Sequence, residues 1–282
     1  PTIALDYGFF GEDPDDTSST PILVTTDSHT GWPTANVVPT KGLVHPFGTT
    51  VLIREVLRSA YANVLLKSDQ EHAIVAVKDA AMIKLKAMGV NVSKEEAPQA
   101  ESQSNGLVEE TVKRIKGVAR SLKHMVEETH KVTITKSHPV LPWLVRYAGA
   151  MLARNSKGAD GRTPYERRKG KPFRKALPPF GEKVMFLPPG KRVSKLALRW
   201  EEGLFVGLSD DSDEVHVMVK DIGVTATRSV KRLPESQRTA TELYNSFVGT
   251  PWSPIPGQAG DVIPAAGSLS INLDDIVPES DL

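Results

Sequence analysis

The chain has 282 residues, a formal net charge of +1 and no cysteine. This length accommodates one large domain or two modest ones. The lack of cysteine excludes disulfides, zinc–cysteine sites and thiol nucleophiles. No apolar run approaches the roughly 18–20 residues that a membrane span requires, so no membrane is expected as a partner. No signal peptide is visible, and Pro1 indicates a fragment of a longer chain.

Charge is distributed unevenly along the chain. Residues 111–200 carry 22 Lys and Arg against 5 Asp and Glu, a net charge of +17. Residues 1–110 carry a net charge of −7, and residues 201–282 carry −9. A strongly basic block behind a cluster of acids is typical of a protein that binds a polyanion beside a metal site. The alternative is a set of solvated, lysine-rich helix faces.

The first part of the chain predicts an α/β fold. In chain order, the patterns predict strands over 2–10, 21–26 and 32–39, a helix over 49–61, a strand over 64–66, a helix over 70–88 and a strand over 89–93. Such an order forms a five-stranded mixed sheet with helices packed on it. Functional groups in this kind of sheet tend to collect at strand ends and in the loops beyond them.

The second part predicts two helices and then a small all-β unit. Helical patterns cover residues 107–128 and 139–155, with one further helical turn at 164–168. Short strands over 183–187, 203–208, 214–219 and 223–230 predict a small barrel or curled sheet of ~50 residues. The expected domains are a core at 1–157, a basic linker at 158–181, a small β-barrel at 182–234 and a disordered tail at 235–282.

Three acids are candidates for the chemistry of the core. Asp6 and Asp69 stand at the ends of apolar, strand-like runs, and Glu109 stands one turn into a helix after a polar loop. Three such carboxylates suit two Mg²⁺ or Mn²⁺ ions, which activate the attacking oxygen and stabilise the leaving oxygen in phosphodiester chemistry. Alternatively, the aspartates start turns or cap helices, and Glu109 interacts favourably with the helix dipole.

A cationic stripe follows Glu109 along its helix. Glu109, Lys113 and Lys116 have i, i+4, i+7 spacing, so they fall within an arc of about 60° and span about 10 Å. Lysines in this position can hold the backbone of a DNA end whose terminal phosphodiester lies at the metals. The alternative is an ordinary i, i+4 Glu–Lys pair on a solvated helix face.

The chain resembles the catalytic core of retroviral and retrotransposon integrases. The resemblance is carried by Asp6, by Asp69 in Leu-Lys-Ser-Asp-Gln and by Glu109 in Gln-Ser-Asn-Gly-Leu-Val-Glu, with 39 residues between Asp69 and Glu109. The segment Arg162-Thr163-Pro164-Tyr165-Glu166 is similar to the one that follows the core in copia-type elements. The strands beyond it are similar to the small barrel of those elements. The zinc module that normally precedes the core is absent from this sequence.

The resemblance implies a ribonuclease-H-like core that processes a DNA 3′ end and joins it to target DNA through the 3′-hydroxyl. It implies metal ligation by Asp6, Asp69 and Glu109, and contact of the donor DNA end with Asn105, Lys113 and Lys116. It also implies a homo-oligomer, other parts of a retroelement polyprotein and a nuclear location. Asp27 matches a second-strand aspartate of the family, and we interpret it as structural.

We therefore expect a metal-dependent polynucleotidyl transferase with associated endonuclease activity. The first alternative is a non-catalytic DNA-binding or assembly module derived from a retroelement, which has no need of all three acids. The second is a ribonuclease-H-like nuclease without strand transfer, against which the Lys113 and Lys116 stripe and the added β unit argue.

Overall fold

A five-stranded mixed sheet forms the first part of the protein. The computed structural model describes residues 1–10, 20–96, 106–190, 198–212 and 214–258. The strands are β1 (Thr2–Gly8), β2 (Ile22–Asp27), β3 (Pro33–Val37), β4 (Asn63–Ser68) and β5 (Asn91–Glu96). They lie in the order β3-β2-β1-β4-β5, with β1, β2 and β3 antiparallel and with β4 and β5 parallel to β1. The predicted mixed five-stranded sheet of an α/β fold is confirmed.

Helices cover both faces of this sheet. They are α1 (Phe47–Ser59), α2 (His72–Ala87), α3 (Gly106–His130) and α4 (Val140–Asn155). Side chains of a strand point alternately to its two faces, and β1 divides in this way. Ile3, Leu5 and Tyr7 belong to the apolar cluster with α1 and α2, whereas Ala4 belongs to the cluster with α3 and α4. Asp6 therefore lies on the α3 face.

The packing of α3 and α4 fixes what lies beside the sheet. The buried side of α3 includes Val108, Thr111 and Ile115, and Thr26 Oγ1 of β2 donates to Thr111 Oγ1 at 2.9 Å. α4 contacts β3 at Gly149, where a β-carbon would come within 3.1 Å of the Ala35 backbone nitrogen. Glycine at that position allows the helix to approach the strand closely.

A second sheet of five antiparallel strands follows. Its strands are β6 (Lys183–Phe186), β7 (Glu201–Leu208), β8 (Val215–Val219), β9 (Gly223–Thr227) and β10 (Val230–Arg232), in the order β10-β6-β7-β8-β9. In the described part of the chain no backbone pairing joins β9 to β10, so the sheet is not closed into a barrel by hydrogen bonds.

Helix α4 packs against both sheets, and their buried side chains belong to one apolar cluster. Tyr147 meets Phe205 edge to face at 5.8 Å between ring centroids, and Trp143 meets His216 at 5.4 Å. Aromatic contacts of this kind each add about 0.5–1.5 kcal/mol beyond the buried area. The second sheet is thus docked on the helix that covers the first.

The segment between the sheets is packed onto the core. The helical turn expected there is the helix α5 (Pro164–Lys169), which begins at Thr163 with a capping box. Thr163 Oγ1 accepts from the backbone nitrogen of Glu166 at 3.1 Å, and a Glu166 carboxylate oxygen accepts from the backbone nitrogen of Thr163 at 2.7 Å. This reciprocal pair satisfies two helix-start donors, so part of the basic linker predicted at 158–181 is regular structure.

The prediction of a disordered tail from residue 235 is wrong for residues 235–258. A helix α6 (Thr241–Asn245) places Tyr244, which is 1% exposed, against His130 at 5.0 Å between ring centroids. Trp143 Nε1 donates to the Gly249 carbonyl at 3.0 Å. The high content of proline and glycine masked these few aromatic anchors, which bury enough apolar surface to hold the segment. The remainder of the predicted tail, 259–282, lies outside the described residues.

In the parts of the chain that the structure describes, no helix is long and apolar enough to cross a membrane.

Candidate active site

Two strand ends bring Asp6 and Asp69 to the same edge of the sheet. The parallel strands β1 and β4 pair with Thr2 opposite Leu65 and Ala4 opposite Lys67. Continuing this register by two residues sets Asp6 level with Asp69. Adjacent strands lie about 4.8 Å apart, so the two carboxylates are neighbours because of sheet register, although 62 positions separate them in the sequence.

Helix α3 brings Glu109 to the same place. The helix packs on β1, where a side chain at Gly8 would meet Val112 Cγ1 at 3.0 Å. Glu109 is partly buried, and its charge acts on Asp6. The neighbouring Glu110, which is the obvious alternative to Glu109, is exposed and is not among the groups that shift Asp6.

The electrostatic state of Asp6 reflects this crowding. Burial and then the negative charges of Asp69, Glu109 and Glu71 raise the pKa of Asp6 to about 6, against a hydrogen bond from the Tyr7 backbone nitrogen that lowers it. No ion pair to Asp6, Asp69 or Glu109 is found among the described residues. The site therefore contains negative charge that the surrounding side chains do not neutralise.

Sequence reasoning missed a fourth acid, Glu71, and its partner Lys41. Glu71 follows Asp69 by two residues at the start of α2, and its backbone nitrogen donates to Asp69 Oδ1 at 3.3 Å. Lys41 Nζ lies 2.6 Å from Glu71 Oε1. The proximity of Glu71 to Asp69 was visible in the sequence. The contact with Lys41 spans 30 residues and has no local signal.

The predicted cationic stripe lies beside the acids. Lys113 is exposed and Lys116 is partly buried. The Cε atom of Lys116 is 3.8 Å from where a β-carbon of Gly8 would stand, which puts this lysine over the end of β1. Asn105, the third predicted DNA contact, lies outside the described residues.

The chemistry of the acids fits divalent cations, but the side chains do not form a finished ligand set. Among the described residues, no group of three His, Asp or Glu side chains is arranged to hold a metal ion. A hard ion such as Mg²⁺ takes carboxylate oxygens and completes its shell with waters and substrate phosphate oxygens. Asp6, Asp69 and Glu109 are the residues that would hold it.

Asp27, the last residue of β2, lies beside the start of β1, at the end of that strand away from Asp6. It belongs to a different cluster of polar side chains. It pairs with Ile3, whereas Asp6 pairs with Val24. Its Oδ2 accepts from Thr30 Oγ1 at 2.5 Å and from the Tyr61 hydroxyl at 2.8 Å, and Arg168 Nη2 is 3.8 Å away. These contacts are what a structural aspartate requires.

A second charged cluster joins α1 and α4 to the turn between β7 and β8. Arg58 donates to both carboxylate oxygens of Asp211, at 2.5 and 2.6 Å. Asp210 lies 3.6 Å from Arg146 and 3.8 Å from Arg154. Part of the basic block at 111–200 is therefore neutralised inside the protein, so the net charge of +17 overstates what is available to a nucleic acid.

Comparison with protein families and with curated proteins found no match. Among solved structures, the chain is similar to the catalytic core domain of BIV integrase, with 19% identity and a TM-score of 0.43 over 60% of this chain and 93% of that one. It is similar to a chain of the simian T-cell lymphotropic virus intasome in complex with PP2A regulatory subunit B56 gamma, with 13% identity and a TM-score of 0.40 over 83% and 78%. It is also similar to the HTLV-2 integrase catalytic core domain in complex with magnesium, with 13% identity and a TM-score of 0.40 over 59% and 95%.

Proposed function

We propose that this protein is a metal-dependent polynucleotidyl transferase of the integrase class, which processes a DNA 3′ end and joins it to target DNA. The observation that supports this most directly is the register that sets Asp6 level with Asp69, together with the raised pKa of Asp6. A carboxylate held beside three like charges, with no ion-pairing cation on Asp6, Asp69 or Glu109 in the described parts of the chain, favours binding of divalent ions.

In this proposal Asp6, Asp69 and Glu109 hold two Mg²⁺ or Mn²⁺ ions. Such ions supply activation of the attacking oxygen and stabilisation of the leaving oxygen in an in-line displacement. The chain's own contribution is positional. Rigid strands set the separation of Asp6 and Asp69, and α3 holds Glu109 against β1 through the contact of Val112 with Gly8. No covalent intermediate with the protein is required.

The DNA would be held by Asn105, Lys113 and Lys116, because the stripe begins at Glu109 and passes over the end of β1. Lysines gripping phosphates make binding strongly salt-dependent. The sequence resemblance further supports a copia-type retroelement origin, a homo-oligomeric assembly, other parts of the same polyprotein as partners and action in the nucleus.

Replacement of Glu109 by Gln tests the catalytic assignment. We expect Glu109→Gln to abolish joining of labelled DNA duplexes with randomised ends in Mg²⁺ or Mn²⁺, with a loss of at least about 100-fold because one ligand of the metals is removed. Salt-sensitive DNA binding should remain. Glu110→Gln, one residue away and exposed, should retain activity.

The alternative function is a non-catalytic DNA-binding or assembly module derived from a retroelement. It is favoured by the lack of a finished three-residue metal site in the described residues. If the wild-type protein binds the randomised ends but joins none of them in either metal, the catalytic proposal fails and this reading replaces it. If Glu110→Gln lost activity and Glu109→Gln retained it, the third catalytic carboxylate would be Glu110 rather than Glu109.

A further inference from the structure

The loop between β3 and α1 carries a lysine to the edge of the acidic site. The Gly42 backbone nitrogen donates to the Tyr7 hydroxyl at 3.2 Å, which fastens the loop to the strand that contains Asp6. The Lys41 ammonium lies 5.3 Å from the centroid of the Tyr7 ring and 4.6 Å from that of Phe9. Two aromatic faces at the end of β1 therefore hold this cation against Glu71, whose own charge acts on Asp6.

Glu71 is the present partner of this cation. The two side chains meet at 2.6 Å, and each keeps 34% of its surface exposed. An ion pair this exposed contributes little to stability, so a competing anion can replace Glu71 at small cost. Cation–π contact with two rings keeps the ammonium in place when its partner changes.

A phosphodiester approaching Asp6, Asp69 and Glu109 enters a region of negative charge. A compact ammonium group is well suited to bind a phosphate oxygen as a point charge. We infer that Lys41 binds a backbone phosphate of the nucleic-acid substrate next to the scissile bond, and that Glu71 positions its ammonium group until that phosphate replaces it. This inference rests on the proposed function, since it places the substrate at the acidic site.

The assigned role differs from that of the stripe on α3. Lys113 and Lys116 extend from Glu109 along a helix, whereas Lys41 lies on the β3–α1 loop and contacts Glu71 at the start of α2. Lys41 and the stripe would therefore contact different phosphates of the same strand. Lys41 is a substrate-binding residue in this scheme, and Glu71 is a positioning residue.

Substitution of Lys41 tests the inference. Lys41→Ala should raise the KM for the DNA end about tenfold at low salt, leave kcat within about twofold and reduce the slope of log Kd against log salt by about 0.9, the value for one phosphate contact. Lys41→Arg should restore most of the affinity, because the charge is kept. Glu71→Gln should leave the salt slope unchanged, since the phosphate contact itself remains.

Lys94→Ala is the matched control. Lys94 also forms a partly exposed pair, 2.8 Å from Asp79, and Asp79 lies eight residues along α2 from Glu71, about 12 Å at 1.5 Å per residue. This variant should change stability as little as Lys41→Ala does and should leave KM and the salt slope unchanged. A merely structural role for Lys41 would lower thermal stability without changing the salt slope.

Failure of the inference and failure of the proposed function are distinguishable. The salt slope is also measured in the Glu109→Gln background, where turnover plays no part. An unchanged slope for Lys41→Ala there overturns the role of Lys41, whether or not the wild-type protein joins DNA. A reduced slope supports it even if joining is absent, in which case only the catalytic proposal is lost.

Discussion

Asp6 and Asp210 are acids of the same type in two regions whose surroundings shift their pKa values in opposite directions. At Asp6, burial and three neighbouring carboxylates raise the pKa to about 6. At Asp210, burial alone would raise it, but the guanidinium groups of Arg58, Arg146 and Arg154 hold the pKa at about 2. Both side chains are partly enclosed, so the difference comes from the charges placed around each acid.

The difference separates an acid whose negative charge is matched by neighbouring cations from one whose charge is not. The carboxylate of Asp210 joins the turn after β7 to α4, and its negative charge is already matched. The negative charge at Asp6 lacks such a match among the described residues, and the fold must offset its cost elsewhere. Perturbed titratable groups with unmatched charge are candidates for functional sites, whereas matched networks also occur for structural reasons.

The largest expected loss of stability comes from breaking the ion pairs of Arg168 with Glu55 and Asp27, at the end of the first sheet away from Asp6. Arg168 Nη2 is 2.6 Å from Glu55 and 3.8 Å from Asp27, and its guanidinium lies 4.4 Å from the centroid of the Trp32 ring. Arg168→Met should lower the free energy of unfolding by about 3–5 kcal/mol, because it leaves two buried carboxylates without their cation. Chemical denaturation at neutral pH measures this loss.

The neighbouring exposed Lys169 provides the control for that substitution. Lys169→Ala should change the unfolding free energy by no more than about 0.5 kcal/mol, as surface substitutions usually do. Equal, small effects of Arg168→Met and Lys169→Ala would show that the buried charges are not matched as the distances indicate. The contrast between matched and unmatched regions would then lose its basis.

A second test uses His216, whose imidazole lies in the charged cluster at the second sheet. Burial and then the positive charge of Arg146 lower its pKa to about 3; Arg58 acts in the same direction, and Asp210 and Asp211 oppose it. A histidine whose folded pKa lies below its unfolded value of 6.5 contributes stability above pH 6.5 and loses it as the pH falls toward 3. Between pH 7.5 and pH 5 this loss is about 2 kcal/mol.

The variant His216→Phe removes this titration but keeps an aromatic ring against Trp143. Its unfolding free energy should fall less than that of the wild-type protein over the same pH range. The comparison uses the difference between the two pH dependences, because other acids titrate identically in both proteins. Parallel losses in the two proteins would contradict the assignment of a neutral, buried His216.

The parts of this fold that follow from local patterns could be predicted. Asp6 and Asp69 were chosen as candidates because each ends an apolar run, and a run of that kind indicates a buried strand. The two aspartates lie side by side because β1 and β4 pair in parallel with the observed register. That register is determined by the three-dimensional sheet and cannot be read from either run alone. Glu109 was chosen as a candidate because a helix begins just before it.

Interactions between residues that are distant in sequence could not be predicted. Nothing near Lys41 indicates that its side chain will meet Glu71, and nothing near Arg58 indicates that Asp211 will meet it across 153 positions. The anchoring of residues 235–258 was missed for the same reason, since Tyr244 finds its partner His130 on α3. The composition of a segment gives the number of its charged and aromatic residues, but it does not show which of them contact each other in the folded protein.

The last prediction concerns the unmatched acids themselves. Asp6→Asn removes one of four neighbouring negative charges and keeps an oxygen that can accept from the Tyr7 backbone nitrogen. Without divalent ions, this variant should therefore be at least as stable as the wild-type protein at neutral pH. With Mg²⁺ at ten times its dissociation constant, the wild-type protein should gain about 1.4 kcal/mol, and Asp6→Asn should gain little.

Thermal unfolding with and without magnesium chloride measures this gain independently of any reaction. Asp79→Asn is the control, since this acid is 46% exposed and pairs with Lys94 away from the site. Its stabilisation by Mg²⁺ should match that of the wild-type protein. Equal stabilisation of all three proteins would mean that the ions act through general screening, and the unmatched charge around Asp6 would then have no specific affinity for a metal.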